Sequence, residues 1–248
     1  MQSPKKRIVI IGGNSTIAEH CARLWVSGSA VDLTLVVRDR LKAESIAADL
    51  RIRNPQSVIR VREAHFTEPS AIQAVADESV DQGGVDIVLI AHGALPNQAL
   101  CQQNLSLAHE ALTINGVSPA LFAEAFAGHM IKAGRGTLAI IGSVAGDRGR
   151  KSNYVYGAAK GLLARYTQGL QHRLAATNVK VVLIKPGPTE TPMTAQLNQQ
   201  LAPVKDVARC IVDGIDRGKP IIYTPAKWRW IMAVVRHLPR FIFNSLNI

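Results

Sequence analysis

Short apolar runs alternate with segments of helical period along nearly the whole chain, and few architectures accept that alternation. "RIVIIGG" (7–13), "VDLTLVVR" (31–38), "SVIRVREA" (57–64), "VDIVLIAHG" (85–93), "GTLAIIGS" (136–143), "VKVVLIKPG" (179–187) and "PIIYTP" (220–225) read as strands. Between them, "STIAEHCARLWVSG", "RLKAESIAADLR", "PSAIQAVADESV", two segments running to about Ala133, "VYGAAKGLLARYTQGLQHRLA" and "VKDVARCIVDGIDR" repeat apolar residues at helical spacing. Gly28 marks a helix stop and Pro69 a helix start. The nearly continuous apolar run at 85–91 suits a strand buried on both faces. The expectation is an α/β fold, doubly wound around a parallel sheet of about seven strands. One domain spans 1–226, and residues 227–248 form a tail.

Composition narrows the class. An apolar fraction of 47% over 248 residues is enough for a full core. Cys21, Cys101 and Cys210 lie far apart with no CxxC, which fits a reducing compartment and excludes a disulfide framework. The start "MQSPKKRIVIIGG" has too short an apolar run for a secretory leader. No stretch nears the roughly 18 apolar residues of a membrane span. No His, Cys or acidic cluster has metal-site spacing. The expected location is cytoplasmic, with contact at the inner face of the membrane open. The net charge is +11, and no acidic residue follows Asp216. The basic residues form no recognisable nucleic-acid module, so none is expected as a partner.

"IIGGNSTIAEH" follows the first strand and opens a helix. Backbone N–H groups at such a helix start hold a pyrophosphate, and glycine admits it closely. Gly12 and Gly13 are present, while Thr16 and Ala18 stand at the later small positions, so a strict G-x-G-x-x-G is absent. This makes the expected domain Rossmann-type. Where the second strand ends, Val37 takes the position of a ribose-binding acid and Arg38 follows it. An arginine there pairs with a 2′-phosphate, although a one-residue shift to Asp39 restores an acid. NADP(H) is preferred over NAD(H), and both stay open. The contacts expected for the cofactor are Gly12, Asn14, Ser15, Thr16, Ile17, Arg38, His65, Phe66, Ala91 and Gly93. Tyr156, Lys160, Pro186, Gly187, Thr189 and Thr191 complete that set.

"IIGSVAG" ends a strand in Ser143, and Tyr156 comes thirteen residues later. Strand ends at this edge are where α/β sheets place their sites. Tyr156 and Lys160 are four apart and share a helical face, which Tyr154 does not. A lysine beside a phenol favours the phenolate and brings its pKa down from about 10 toward working pH. Ser143 is placed to hydrogen-bond a carbonyl or alcohol oxygen.

"GGNSTIA", Asn115 in "LTINGVSPA", Ser143, "YGAAK" and "KPGPTETPM" together resemble the short-chain dehydrogenase/reductase superfamily, over nearly the whole chain. The resemblance implies an NAD(P)-dependent oxidoreductase with Asn115, Ser143, Tyr156 and Lys160 as its catalytic set. Tyr156 then protonates the carbonyl oxygen, Lys160 tunes it and bonds the nicotinamide ribose, Ser143 orients the carbonyl, and Asn115 helps hold a relay water. Pro186 and Gly187 border the nicotinamide, and Thr189 or Thr191 bonds its carboxamide. Two positions depart from the pattern: "IAHG" stands for "NNAG", and His65 for an adenine-contacting Asp.

"GDRGRKSNYVYGAAKGLLARYTQGL" and "PAKWRWIMAVVRHLPRFIFNSL" are similar to a narrower group. These are keto-pentose reductases that work with a flavin oxidase to epimerise C2 of decaprenylphosphoryl-ribose for cell-surface glycans. That likeness implies a lipid-linked sugar substrate and a flavin oxidase partner. The residues of the tail read the same way. Trp228, Ile231, Val234 and Val235 form an apolar stripe beside Arg229 and Arg236, as in a helix lying on an anionic membrane. Arg148, Arg150 and Lys151 offer cations to a phosphate. A tail packed on its own domain or on a second subunit is the other reading, and a homo-oligomer is expected. Two functions compete with the lipid-linked one: a reductase of a small ketone or 3-oxoacyl substrate, and a non-catalytic dinucleotide sensor.

Overall fold

The computed structural model describes residues 5–81, 83–196, 198 and 200–246. Seven strands form one sheet: β1 (Lys6–Ile11), β2 (Val31–Val37), β3 (Val58–Glu63), β4 (Ile87–Ile90), β5 (Gly136–Ile141), β6 (Val179–Pro186) and β7 (Ile221–Thr224). Their order is β3-β2-β1-β4-β5-β6-β7, and every neighbouring pair is parallel. The order reverses between β1 and β4. That switch point opens a crevice at the carboxyl ends of the strands.

Side-chain alternation divides the core in two. Ile8 and Ile10 of β1 join one cluster with Leu33, Leu35, Leu89 and Ile184. This face is covered by α1 (Thr16–Gly28), α2 (Arg40–Arg53) and α8 (Val204–Asp216). Val9 and Ile11 point the other way, to a cluster with Val88, Ile90, Leu138 and Ile140. That face is covered by α3 (Pro69–Asp81), α6 (Ser118–Ala133) and α7 (Tyr154–Arg173). Phe122 and Phe126 of α6 are fully buried there. Truncating either to alanine costs about 3–5 kcal/mol.

The region before α6 is more divided than its periodicity predicts. It holds α4 (Gln98–Gln103) and α5 (Leu105–Leu112), and then a π-helical turn at Thr113–Val117 that runs into α6. Asn97 and Asn104 cap the two short helices with their side chains. The tail also differs from a single helix. Leu238-Pro239 divides it into α9 (Lys227–His237) and α10 (Arg240–Ser245), because proline withholds the N–H that a continuing helix needs. No helix among the described residues is long and apolar enough to cross a membrane.

Candidate active site

A cavity of about 970 Å³ runs along the carboxyl edge of the sheet. Arg38 after β2 borders one end, and Trp228 of α9 borders the other. Gly12 after β1, Gly93 after β4, Ser143 after β5 and Gly187 after β6 line the path between them.

Ser143, Tyr156 and Lys160 converge on the cavity. Ser143 starts a 3-10 turn (Val144–Asp147), and its hydroxyl accepts from the Ala145 N–H at 3.1 Å. This turn lies directly on α7: a Cβ on Gly146 would come within 2.6 Å of the Lys160 backbone. Backbone-to-backbone contact of that kind fixes Ser143 beside Tyr156. Lys160 is buried and donates to the Ile141 carbonyl at 3.0 Å, and its ammonium lies 5.9 Å from the Tyr156 ring centre. Burial pulls the Lys160 pKa down to about 8. It raises the Tyr156 phenol, while the Ser143 hydroxyl acts to lower it. The expectation that Lys160 brings the phenol down is therefore not met in this arrangement, where desolvation outweighs the other influences. Tyr154 is exposed and lies outside the cavity lining.

Asn115 is fully buried in the π-helical turn. Its Oδ1 accepts from the Ala94 N–H at 2.9 Å, and its Nδ2 donates to the Ala111 carbonyl at 2.9 Å. It is not in the cavity wall but braces the chain just past Gly93, which is. π-turns recur at functional sites, though no residue pattern here announces one.

At the nucleotide end Gly12 has φ +86°, and a Cβ there would stand 2.7 Å from the His92 backbone. Only glycine permits both. Ser15 opens α1 without capping it by its side chain, and its own N–H donates to the Gly12 carbonyl at 2.9 Å, so the first-turn N–H groups of Thr16 and Ile17 remain for a ligand. The Asn14 amide donates to the Asp39 carbonyl at 2.8 Å, and its Oδ1 is buried without a partner. Asp39 caps α2 by accepting from the Lys42 N–H. Its carboxylate thus serves the helix, and Asp39 borders the cavity together with Arg38 and Lys42. A glycine cradle, free helix N–H groups and paired cations fit a dinucleotide's phosphates.

Phe66, Ala91, Pro186, Gly187, Thr189 and Thr191 also line the cavity. The Thr189 hydroxyl donates to the Gly187 carbonyl, and the Thr191 hydroxyl pairs with Thr194. His65 is a correction. It is exposed and outside the lining, because the chain past β3 turns Phe66 inward instead. Phe66 packs edge-on against His92 and Phe122 at 4.9 and 5.4 Å. His92 is buried, with Nε2 2.9 Å from the Ser118 hydroxyl, which itself donates to the Phe66 carbonyl. Ser118 has one proton and spends it there, so His92 Nε2 carries the hydrogen. Burial, with Lys160 and Arg38 nearby, lowers the His92 pKa to about 3.

The tail readings change most. Trp228, Ile231 and Val235 of the apolar stripe line the cavity, because α9 packs against β7 and the turn after Ser143. The outward side chains are Trp230, Val234 and Phe241. Arg148 is not free for a ligand. It donates to the carbonyls of Val235 and Leu238 at 2.5 and 2.8 Å and stacks on Phe243 at 3.7 Å. Lys151 is exposed and outside the cavity wall, whereas Arg150 lines it. The sequence reading also missed Lys42 and Met193 in the wall.

A parallel seven-stranded sheet with a nucleotide turn at its switch point and a Ser-Tyr-Lys group beyond it defines an NAD(P)-dependent oxidoreductase. A family model for short chain dehydrogenases matches residues 6–202, and the chain belongs to that family. It is 29% identical over 247 residues to an uncharacterized oxidoreductase of Streptomyces coelicolor, covering 99% of this chain and 97% of the relative. An uncharacterized oxidoreductase of Mycobacterium tuberculosis is 30% identical over 242 residues, 96% of each chain. Among solved structures, a short-chain dehydrogenase from Sphingobium yanoikuyae in complex with NADPH superposes with a TM-score of 0.83 at 22% identity. It covers 98% of this chain and 96% of its own.

Proposed function

We propose that the protein reduces a carbonyl with NADP(H), using Tyr156 as the proton donor. The observation that carries this is the convergence of Ser143, Tyr156 and Lys160 in one cavity with the Gly12 turn. A dinucleotide bound there would supply the hydride. Ser143 holds the carbonyl oxygen, and the Tyr156 hydroxyl gives it a proton, so the product is an alcohol and Tyr156 is left as phenolate. Lys160 steadies that anion from the same helical face, and Asn115 fixes the chain around Gly93. Arg38 and Lys42 favour the 2′-phosphate form of the cofactor. Tyr156→Phe is expected to cut NADPH-dependent turnover by about two orders of magnitude or more, while Tyr154→Phe keeps most of it; the reverse order would overturn the assignment. Arg38→Ala is expected to raise the KM for NADPH about tenfold and to spare NADH.

For the substrate, we propose a polyprenyl-phosphoryl 2-keto-pentose, made by a flavin oxidase from the ribosyl compound and returned here as the arabinosyl epimer. The likeness of residues 146–170 and of the tail supports it, as does the outward face of α9 and α10. Trp230, Val234 and Phe241 lie bare there among exposed Lys227, Arg229, Arg236 and Arg240. Incubating polyprenyl-phosphoryl ribose with such an oxidase, this protein and NADPH should give the arabinosyl product. Ready turnover of small ketones with none of this product would favour the soluble reductase reading instead.

A further inference from the structure

Arg150 is a charged side chain with no counter-ion among the described residues. It lines the cavity six residues before Tyr156. Its Nε is buried without a hydrogen-bond partner, and among the described residues its one side-chain hydrogen bond runs from Nη2 to Met232 Sδ at 3.6 Å. Sulfur is a weak acceptor for a guanidinium. Among the described residues no carboxylate pairs with it. The acid in the same loop, Asp147, is held by Lys185 in a buried ion pair and accepts from the Tyr223 hydroxyl at 3.0 Å. Desolvation pulls the Arg150 pKa down, opposed only in part by Asp147. An unpaired charge under α9 is costly to keep. On the same wall Asn153 has a buried amide oxygen with no donor.

The position decides what such a group serves. The nucleotide cations, Arg38 and Lys42, stand past β2 at the far end of the sheet order. Arg150 leaves the turn after β5 and meets α9, which follows β7, so it borders the part of the cavity beyond Tyr156. We propose that Arg150 is the receptor for an anionic group on the carbonyl substrate, a carboxylate or a phosphate ester, with the Asn153 amide oxygen accepting from a hydroxyl of the same ligand. This rests on the reductase reading only in taking that end of the cavity as the substrate's. It requires no lipid.

The test is calorimetric titration of the NADPH-loaded protein with phenyl phosphate, benzoate and neutral benzamide. Bound NADPH occupies the nucleotide phosphate sites, so a remaining preference for anions reports Arg150. Loading is checked first by NADPH fluorescence. Failure there counts against the reductase reading, and the titration is then run on the ligand-free protein. At least one anion should bind about tenfold or more tightly than benzamide, as a charge-assisted bidentate contact provides. Arg150→Gln should abolish that preference with NADPH binding intact, and Arg150→Lys should keep part of it. The ratio of the two anions separates phosphate from carboxylate. Equal affinities for anions and benzamide, or a preference that survives Arg150→Gln, would overturn the proposal.

Discussion

Spacing alone separated Tyr156 from Tyr154, because a helix puts positions four apart on one face, and the cavity contains the first and not the second. What spacing left open is whom Lys160 touches. Its bond to the Ile141 carbonyl depends on which strand end lies under α7, a tertiary fact. His92 makes the same point and leads to a prediction. It stays neutral when folded down to about pH 3, whereas a free imidazole takes a proton near 6.5. Between those values the unfolded chain holds more protons, so stability present above 6.5 is lost as pH falls, by up to about 1.4 kcal/mol per pH unit. Urea melts at pH 7, 6 and 5 should show this slope, and His92→Gln should flatten it. An unchanged slope in the variant would assign the loss to other groups.

At the level of elements, the inner strands were legible because β4 and most of β1, β5 and β6 are apolar runs buried on both faces, whereas β3 at the sheet edge carries Arg60 and Arg62 and is only partly buried. The division of 98–133 and of the tail was not legible. A short helix and a long one show the same period, and the breaks come from Asn caps, a π-turn and a proline. The run Arg148–Arg150–Lys151 reads as three equivalent cations. Their fates diverge only when α9 arrives: Arg148 takes the carbonyls at its end, Arg150 lies under it, and Lys151 stays in water. Arg148 is therefore a latch. As hydrogen bonds from a charged donor to neutral carbonyls, its two bonds are worth about 1.5–3 kcal/mol each before other terms. Arg148→Ala should speed proteolytic cleavage within 227–246 and raise the KM for a bulky carbonyl several-fold, with the KM for NADPH little changed. If protease sensitivity is unaltered, α9 is held by its apolar contacts alone. Those contacts are close: a Cβ on Gly187 would fall 1.9 Å from the Trp228 indole nitrogen.

Over the whole molecule, sheet order and charge lead to different consequences. The order β3-β2-β1-β4-β5-β6-β7 places nucleotide and carbonyl ends at opposite sides of one crevice; strand–helix alternation predicted the parallel sheet but not this order. The charge of +11 does not choose a partner by itself, but the described structure concentrates bare aromatics and cations on the outer side of α9 and α10. Co-sedimentation with vesicles rich in phosphatidylglycerol should exceed that with phosphatidylcholine, fall as salt is raised through about 0.1–0.5 M, and drop when Trp230 and Phe241 are changed to serine. Equal recovery from both vesicle types would sink the peripheral-membrane part of the substrate proposal.

Residues 227–245 leave the ribosome after every strand of the sheet, yet they supply Trp228, Ile231 and Val235 to the cavity wall. The wall of the carbonyl end is thus assembled from both the middle of the sheet and the last helices of the chain, whereas the nucleotide turn is complete within its first strands.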